Sequence, residues 1–146
     1  MSVTAGHIGN IVTWCGAIEM LINEQIKHHS LDELLANEFL KTSLHRRADI
    51  LKKLLTRERR DLSPDYIKNL ITNIKILGNE RNIIAHNPLL SDNQDGSDMK
   101  ISYFKNDDEC EYKIDDINRV MELSIEVLRE MNELNENIFH YNEKTT

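Results

Sequence analysis

Residues 63–88 read SPDYIKNLITNIKILGNERNIIAHNP, and this stretch decides the fold. It opens on Ser63-Pro64-Asp65. The serine hydroxyl can cap the first free N–H groups of a helix, and a proline at N1 lacks an N–H that would be unpaired anyway. A carboxylate at N2 suits the positive end of the helix dipole. The stretch closes on His86-Asn87-Pro88, where Asn87 is suited to a left-handed turn and Pro88 blocks continuation. Between these signals lie Ile67, Leu70, Ile71, Ile74, Leu77, Gly78, Ile84 and Ala85. At 100° per residue they occupy an arc from about −60° to +80° around Arg81. The spacing predicts a helix over 64–86, with Arg81 at the centre of its buried stripe. Lys68, Thr72, Lys75, Asn79, Asn82 and His86 form a polar strip beside it, and Ile76 and Ile83 sit on the far side. A helix apolar on two sides is central to its bundle or shared with a second subunit.

Upstream, Ile8, Ile11, Val12, Cys15, Ile18, Leu21, Ile22 and Ile26 have the spacing of one helical face, predicting a helix over about 6–28. Ser30 is read as the cap of a short helix starting at Leu31, with Glu33 in its first turn. Leu44, Ala48, Leu51, Leu54 and Leu55 predict a helix over about 42–60. Downstream, the run from Leu90 to Asp98 is a loop by composition. Met99, Ile101 and Tyr103, then Cys110, Tyr112 and Ile114, alternate with polar neighbours and predict a two-stranded hairpin. Ile117, Val120, Met121, Ser124, Val127, Leu128, Met131, Leu134 and Ile138 predict a last helix over about 115–139, with Asp115 and Asp116 at its favourable end. The expectation is an all-α chain: an antiparallel up-and-down four-helix bundle with a short β-hairpin insert before the last helix. It is read as a single domain over 1–146, with the loop and hairpin insert at about 88–114.

A length of 146 residues suits one hydrophobic core, and 40% apolar with 29% charged residues is ordinary globular composition. No uninterrupted apolar stretch is long enough to span a bilayer, so no membrane role is expected. Met1 to Asn10 lack a basic start, an apolar run and a cleavage site, so no secretory leader is expected. Cys15 and Cys110 match no metal or redox spacing and are read as reduced thiols of a cytoplasmic protein. The net charge of −7 argues against a general nucleic-acid binder, but it is unevenly spread. Residues 1–90 carry 12 Lys and Arg against 10 Asp and Glu, while 91–146 carry 6 against 15. Within 43–60, Arg46, Arg47, Lys52, Lys53, Arg57, Arg59 and Arg60 face only Asp49 and Glu58, a local excess able to attract phosphates. Such a cluster is more often simply a solvated helix face.

The residues with the clearest chemistry are Arg81, Asn82 and His86. Asn82 and His86 are four apart and face the same way, and the long stem of Arg81 brings its guanidinium alongside. An imidazole, ordinarily near pKa 6.5, can take a proton from a ribose 2′-OH or give one to a leaving 5′-oxygen. An arginine can grip a phosphate with two parallel hydrogen bonds and offset charge growing in the transition state. Asn82 can donate to a phosphate oxygen or fix the imidazole. The bland alternative has His86 satisfying carbonyls of the last helical turn and Arg81 pairing with Glu19, Glu24 or Asp49 of neighbouring helices.

Arg81-Asn82-Ile83-Ile84-Ala85-His86-Asn87 resembles the signature of the HEPN superfamily, an Arg followed four to six residues later by His. A polar residue after the Arg is common there. The order of elements is similar too, with the motif ending a third main helix before a variable insert and a long final helix. The resemblance covers most of the chain, although only the motif is specific. It implies a four-helix bundle, a homodimer with both motifs lining a cleft on the two-fold axis, and metal-independent cleavage of RNA with no cofactor. It also implies toxin–antitoxin or antiviral-defence settings, with an antitoxin or defence-system partner protein. Arg81, Asn82 and His86 are the expected catalytic residues. Arg46, Arg47, Lys52, Lys53, Lys75 and Asn79 are expected to contact RNA, though the motif itself does not carry them. One branch of the superfamily has Tyr two residues after the His, where a nucleotidyltransferase partner adds AMP. This chain has Pro88 there, so that modification is not expected. Other members have lost catalysis and serve as RNA- or protein-binding modules. Elsewhere, His7, His28 and His29 make no standard zinc pattern, and His140 and Tyr141 are read as surface or end-packing groups.

Overall fold

The computed structural model describes residues 5–87, 89–91 and 99–145, with side chains up to residue 136 apart from 89, 91 and 99. In chain order the elements are α1 (Ala5–His29), α2 (Glu33–Leu40), α3 (Leu44–Glu58), α4 (Pro64–His86), β1 (Leu89–Ser91), β2 (Met99–Lys105), β3 (Asp108–Tyr112) and α5 (Ile114–Thr145). The molecule is mostly helical, with a small antiparallel sheet before the last helix. Pro88, residues 92–98 and the side chains of Ile138, His140 and Tyr141 lie outside the described residues.

Helix α4 begins as its punctuation requires. Ser63 accepts a hydrogen bond from the Tyr66 N–H at 3.1 Å, and Pro64 takes the first turn. Its end differs from expectation. Asn87 is extended, with φ −116° and ψ 149°, not left-handed. A residue before proline is pushed out of helical geometry towards extended backbone, and this wins over the turn preference of asparagine. The Asn87 amide instead donates back to the Ile83 carbonyl at 2.7 Å, covering one of the carbonyls the helix leaves free. The start of α2 is also corrected. Its cap is Asp32, which accepts from the Leu35 N–H at 2.7 Å. The Ser30 hydroxyl turns back onto the Ile26 carbonyl and so helps close α1.

The insert carries one strand more than expected, since β1 pairs with β2 through Leu89 opposite Ile101. Between β2 and β3 the loop is Asn106-Asp107, with φ 54° and 66°. Positive φ at both central residues matches the twist of a tight hairpin, and Asn and Asp tolerate it better than most side chains. Ile114, read as the end of the second strand, instead opens α5. Asp116 sits three residues after Lys113 and accepts its N–H at 3.0 Å, a carboxylate reaching back to cap the helix start.

The core is aliphatic and drawn from every long helix: Ile11, Ile18, Ile22 and Ile26 of α1, Leu51 and Leu55 of α3, Ile67, Ile74 and Ile84 of α4, Ile117, Val127 and Met131 of α5. Helices α3 and α5 each pack on both α1 and α4. Gly78 permits the close approach of α3 to α4, because a Cβ there would stand 3.1 Å from Leu44 Cδ2. The sheet adds Ile101 and Tyr112 to the same core.

Two polar contacts fix how the helices meet. Arg47 is 7% exposed and binds the Glu19 carboxylate, the Asn23 amide oxygen at 2.7 Å and the Thr42 carbonyl at 3.2 Å. Its placement corrects the expectation that it faces RNA: the guanidinium is spent on holding α1 to α3. Between α1 and α5, the buried Gln25 amide donates to Asn135 and lies 3.1 Å from His29 Nε2. Burial is the main reason that the His29 pKa falls from 6.5 to about 4, with His28 next to it adding repulsion. The C-terminal end of α1 would favour an imidazolium, and desolvation outweighs that preference.

Replacing Arg47 by Ala strands the Glu19 carboxylate against α3 and is expected to lower the unfolding free energy by about 2–4 kcal/mol in urea titrations. For His29, the depressed folded pKa makes its contribution fully present above pH 6.5 and lost as pH falls through about 4. Because the ring is half-exposed, the loss is on the order of 1 kcal/mol after solvent screening. His29→Gln should flatten the pH dependence of the melting temperature in that window relative to the unmodified chain.

Candidate functional site

The last two turns of α4 carry Arg81, Asn82 and His86. Arg81 is half-buried and borders a crevice of about 20 Å³ with Cys15, Glu19, Leu44 and Gly78, roughly enough for one water. Each of the three carboxylates expected to pair with it is engaged elsewhere. Glu19 binds Arg47, Asp49 receives Lys75 at 2.6 Å, and Glu24 pairs with Lys27 at 3.5 Å. Lys75 is also what draws the Asp49 carboxyl below its ordinary range. Among the described residues Arg81 makes no ion pair, and its nearest polar contact is Nη1 to Asn82 Oδ1 at 3.5 Å, the outer limit of a hydrogen bond. The guanidinium also faces Cys15, whose thiol is pushed up by burial while Ser124 and Arg81 pull it back.

Asn82 and His86 are exposed, one helical turn apart on the strip beside Arg81. His86 has no hydrogen-bond partner among the described residues. Arg81 and Asn82 are therefore brought into contact, and His86 stands one turn beyond them. Arg81 leans towards α1 and α3, whereas Asn82 leans towards the sheet, where it borders a second, larger groove.

The residues expected along an RNA path divide into three groups. Arg46, Lys52 and Lys53 are exposed and border an open trough of about 600 Å³ on α3, together with Asp49, Ile50, Thr56 and Arg57. Arg47 points inward, as described above. Lys75 is tied to Asp49, and Asn79 meets His45 Nε2 at 3.0 Å. His45 was not singled out in the sequence; it lies at the start of α3, and only the close packing of α3 on Gly78 carries it to α4.

The groove beside Asn82 was also illegible in the sequence. It measures about 530 Å³ and is walled by Ile76, Asn79, Glu80, Asn82 and Ile83 of α4 and by Tyr103, Phe104, Lys105 and Tyr112 of the hairpin. Tyr103 stacks on Tyr112 with ring centroids 5.2 Å apart, whereas Phe104 is 76% exposed. Glu80 has one carboxylate oxygen, Oε2, shut off from solvent with no hydrogen-bond partner among the described residues. Burial raises its pKa; Arg119 and Lys105 offset part of that, and Asp116 adds to it.

Comparison of the chain with family models, curated proteins and solved structures gives no match.

An arginine and a histidine that make no ion pair among the described residues can be removed at little cost. Arg81→Ala and His86→Ala are each expected to change the unfolding free energy by less than about 1 kcal/mol. Urea denaturation would check this, and a loss of several kcal/mol from either variant would make that residue structural.

Proposed function

We propose that this chain is a metal-independent endoribonuclease of the HEPN type, built as an antiparallel up-and-down four-helix bundle and acting as a homodimer. One observation carries the reading: among the described residues, Arg81 near the end of α4 has no acidic partner, and it lies beside an exposed Asn82 and an exposed His86 that makes no hydrogen bond to them. A buried or half-buried guanidinium ordinarily acquires a carboxylate, and here Glu19, which borders the same crevice, is bound to Arg47. The charge is thus left for a ligand, and a phosphodiester supplies the complementary one.

In this reading the ribose 2′-oxygen attacks the adjacent phosphorus and the P–O5′ bond breaks. The products are a 2′,3′-cyclic phosphate and a free 5′-OH. His86 exchanges the proton, taking it from the 2′-OH or delivering it to the leaving 5′-oxygen. Arg81 binds the non-bridging oxygens as their charge rises, and Asn82 orients the phosphate or the imidazole. A two-fold dimer would bring two such sets to one cleft. Arg46, Lys52 and Lys53 on α3 would then hold flanking phosphates. Cytoplasmic toxin or defence modules, paired with an antitoxin or defence partner, are the setting this chemistry suits.

The crevice beside Arg81 favours a second reading, a HEPN-like module without catalysis that binds RNA or a partner protein. Half-burial against Cys15 and Glu19 holds the guanidinium back from a wide-open surface.

Incubating the purified protein with mixed RNAs in EDTA, beside His86→Ala, separates the two. The nuclease reading expects cleavage products ending in cyclic phosphate, and a drop of about 10²–10⁴-fold in rate for His86→Ala. Equal or absent cleavage by both forms would leave only the binding module.

A further inference from the structure

We infer that the groove between α4 and the β2–β3 hairpin binds a guanine base, with Phe104 as its stacking surface and the Glu80 carboxylate as its hydrogen-bond acceptor. The choice of ligand rests on the ribonuclease reading, because the groove shares Asn82 with the Arg81–His86 segment. The groove itself can be tested without it.

The groove's volume of about 530 Å³ is within the range of small-molecule sites. Its walls are chemically unlike each other. On the hairpin side, 76% of Phe104 faces solvent, while neighbouring Tyr103 and Tyr112 stack on one another. Single-stranded RNA is recognised by laying unstacked bases on such rings. Lys105 follows it in sequence and makes no hydrogen bond or ion pair among the described residues, leaving a cation for the phosphate attached to that base.

On the α4 side, Glu80 selects among bases. Its side chain borders the groove, and its Oε2 is shut off from water and lacks a donor among the described residues, which is costly for a carboxylate. The shortfall is relieved when a ligand brings N–H groups and the side chain turns to meet them. A carboxylate accepts two parallel donors, and guanine is the base whose Watson–Crick edge presents two, N1–H and N2–H, side by side. Adenine and cytosine place a donor next to an acceptor, and uracil flanks its one donor with acceptors, so each would set a lone pair against Glu80. The amides of Asn79 and Asn82 border the same space and can donate to the remaining acceptors of the base.

Calorimetric titration of the intact protein with 5′-GMP, 5′-AMP and 5′-IMP tests the site. Expected are binding of GMP at least 10-fold tighter than AMP, and IMP, which lacks the N2 amine, weaker than GMP by a similar factor. Glu80→Gln should reduce GMP affinity 10-fold or more and remove the preference over AMP. Phe104→Ala should reduce affinity for every base by about 5- to 100-fold, and Phe104→Trp should restore it. Phe104 is exposed, so its variants fold whatever becomes of Glu80→Gln. Equal affinity for GMP and AMP, or GMP binding indifferent to Phe104→Ala, would overturn the inference. The cleavage assay in EDTA reports separately. Cutting without any preference for guanosine near the cut removes the base site and keeps the nuclease, whereas selective GMP binding without cutting keeps the base site and removes the nuclease.

Discussion

The ion pair between Arg47 and Glu19 governs more of this molecule than its position suggests. It joins α3 to α1, and with Asn23 and the Thr42 carbonyl it satisfies a nearly buried guanidinium. Breaking such a pair is costly chiefly because the remaining charge is stranded. The same bond has a consequence further along the crevice. Glu19 borders the space that Arg81 occupies and would be its natural counter-ion. With Glu19 committed to Arg47, Arg81 keeps a charge that no carboxylate among the described residues neutralises. The contact that closes one helix pair thereby frees the residue on which the proposed chemistry depends.

Helix α4 serves two surfaces at once. Its Ile67, Ile74, Leu77 and Ile84 face the core, and Gly78 lets α3 come close. Its opposite side, with Ile76, Asn79, Glu80 and Ile83, meets the hairpin across a groove. Arg81 and Asn82 lie at the boundary of these surfaces and turn to different sides. The histidine one turn later stays in solvent. A helix end of this kind offers a cation, an amide and an imidazole with little internal bonding among them, and functional groups held ready for a ligand have that character. The His29–Gln25–Asn135 contact does the opposite: its polar atoms answer one another within the fold and fix the register of α1 on α5.

Much of the architecture was legible because local signals agreed. Ser63-Pro64-Asp65 and the stripe from Ile67 to Ile84 named α4 within a residue at each end, since capping and periodicity act over a few residues. Errors arose where two local preferences competed. Ser30 and Asp32 are both good caps, and the aspartate won while the serine closed the preceding helix. At Asn87, the steric demand of a following proline overrode the left-handed tendency of asparagine. The third strand, β1, was missed because it is three residues long and sits in a segment of loop-like composition.

The chain alone determined the helices, the hairpin and the Arg81-Asn82-x-x-x-His86 segment, because helix periods, caps and turn residues are set by neighbours in sequence. It could not say which carboxylate each cation would find. Arg46 and Arg47 are adjacent and chemically identical, yet one faces solvent and the other is buried. The difference is set by which side of α3 meets α1. The groove holding Glu80 and Phe104 likewise exists only once the hairpin folds over α4, joining side chains 24 positions apart. Ion pairing and burial depend on distance in space, and only the packed helices supply those distances.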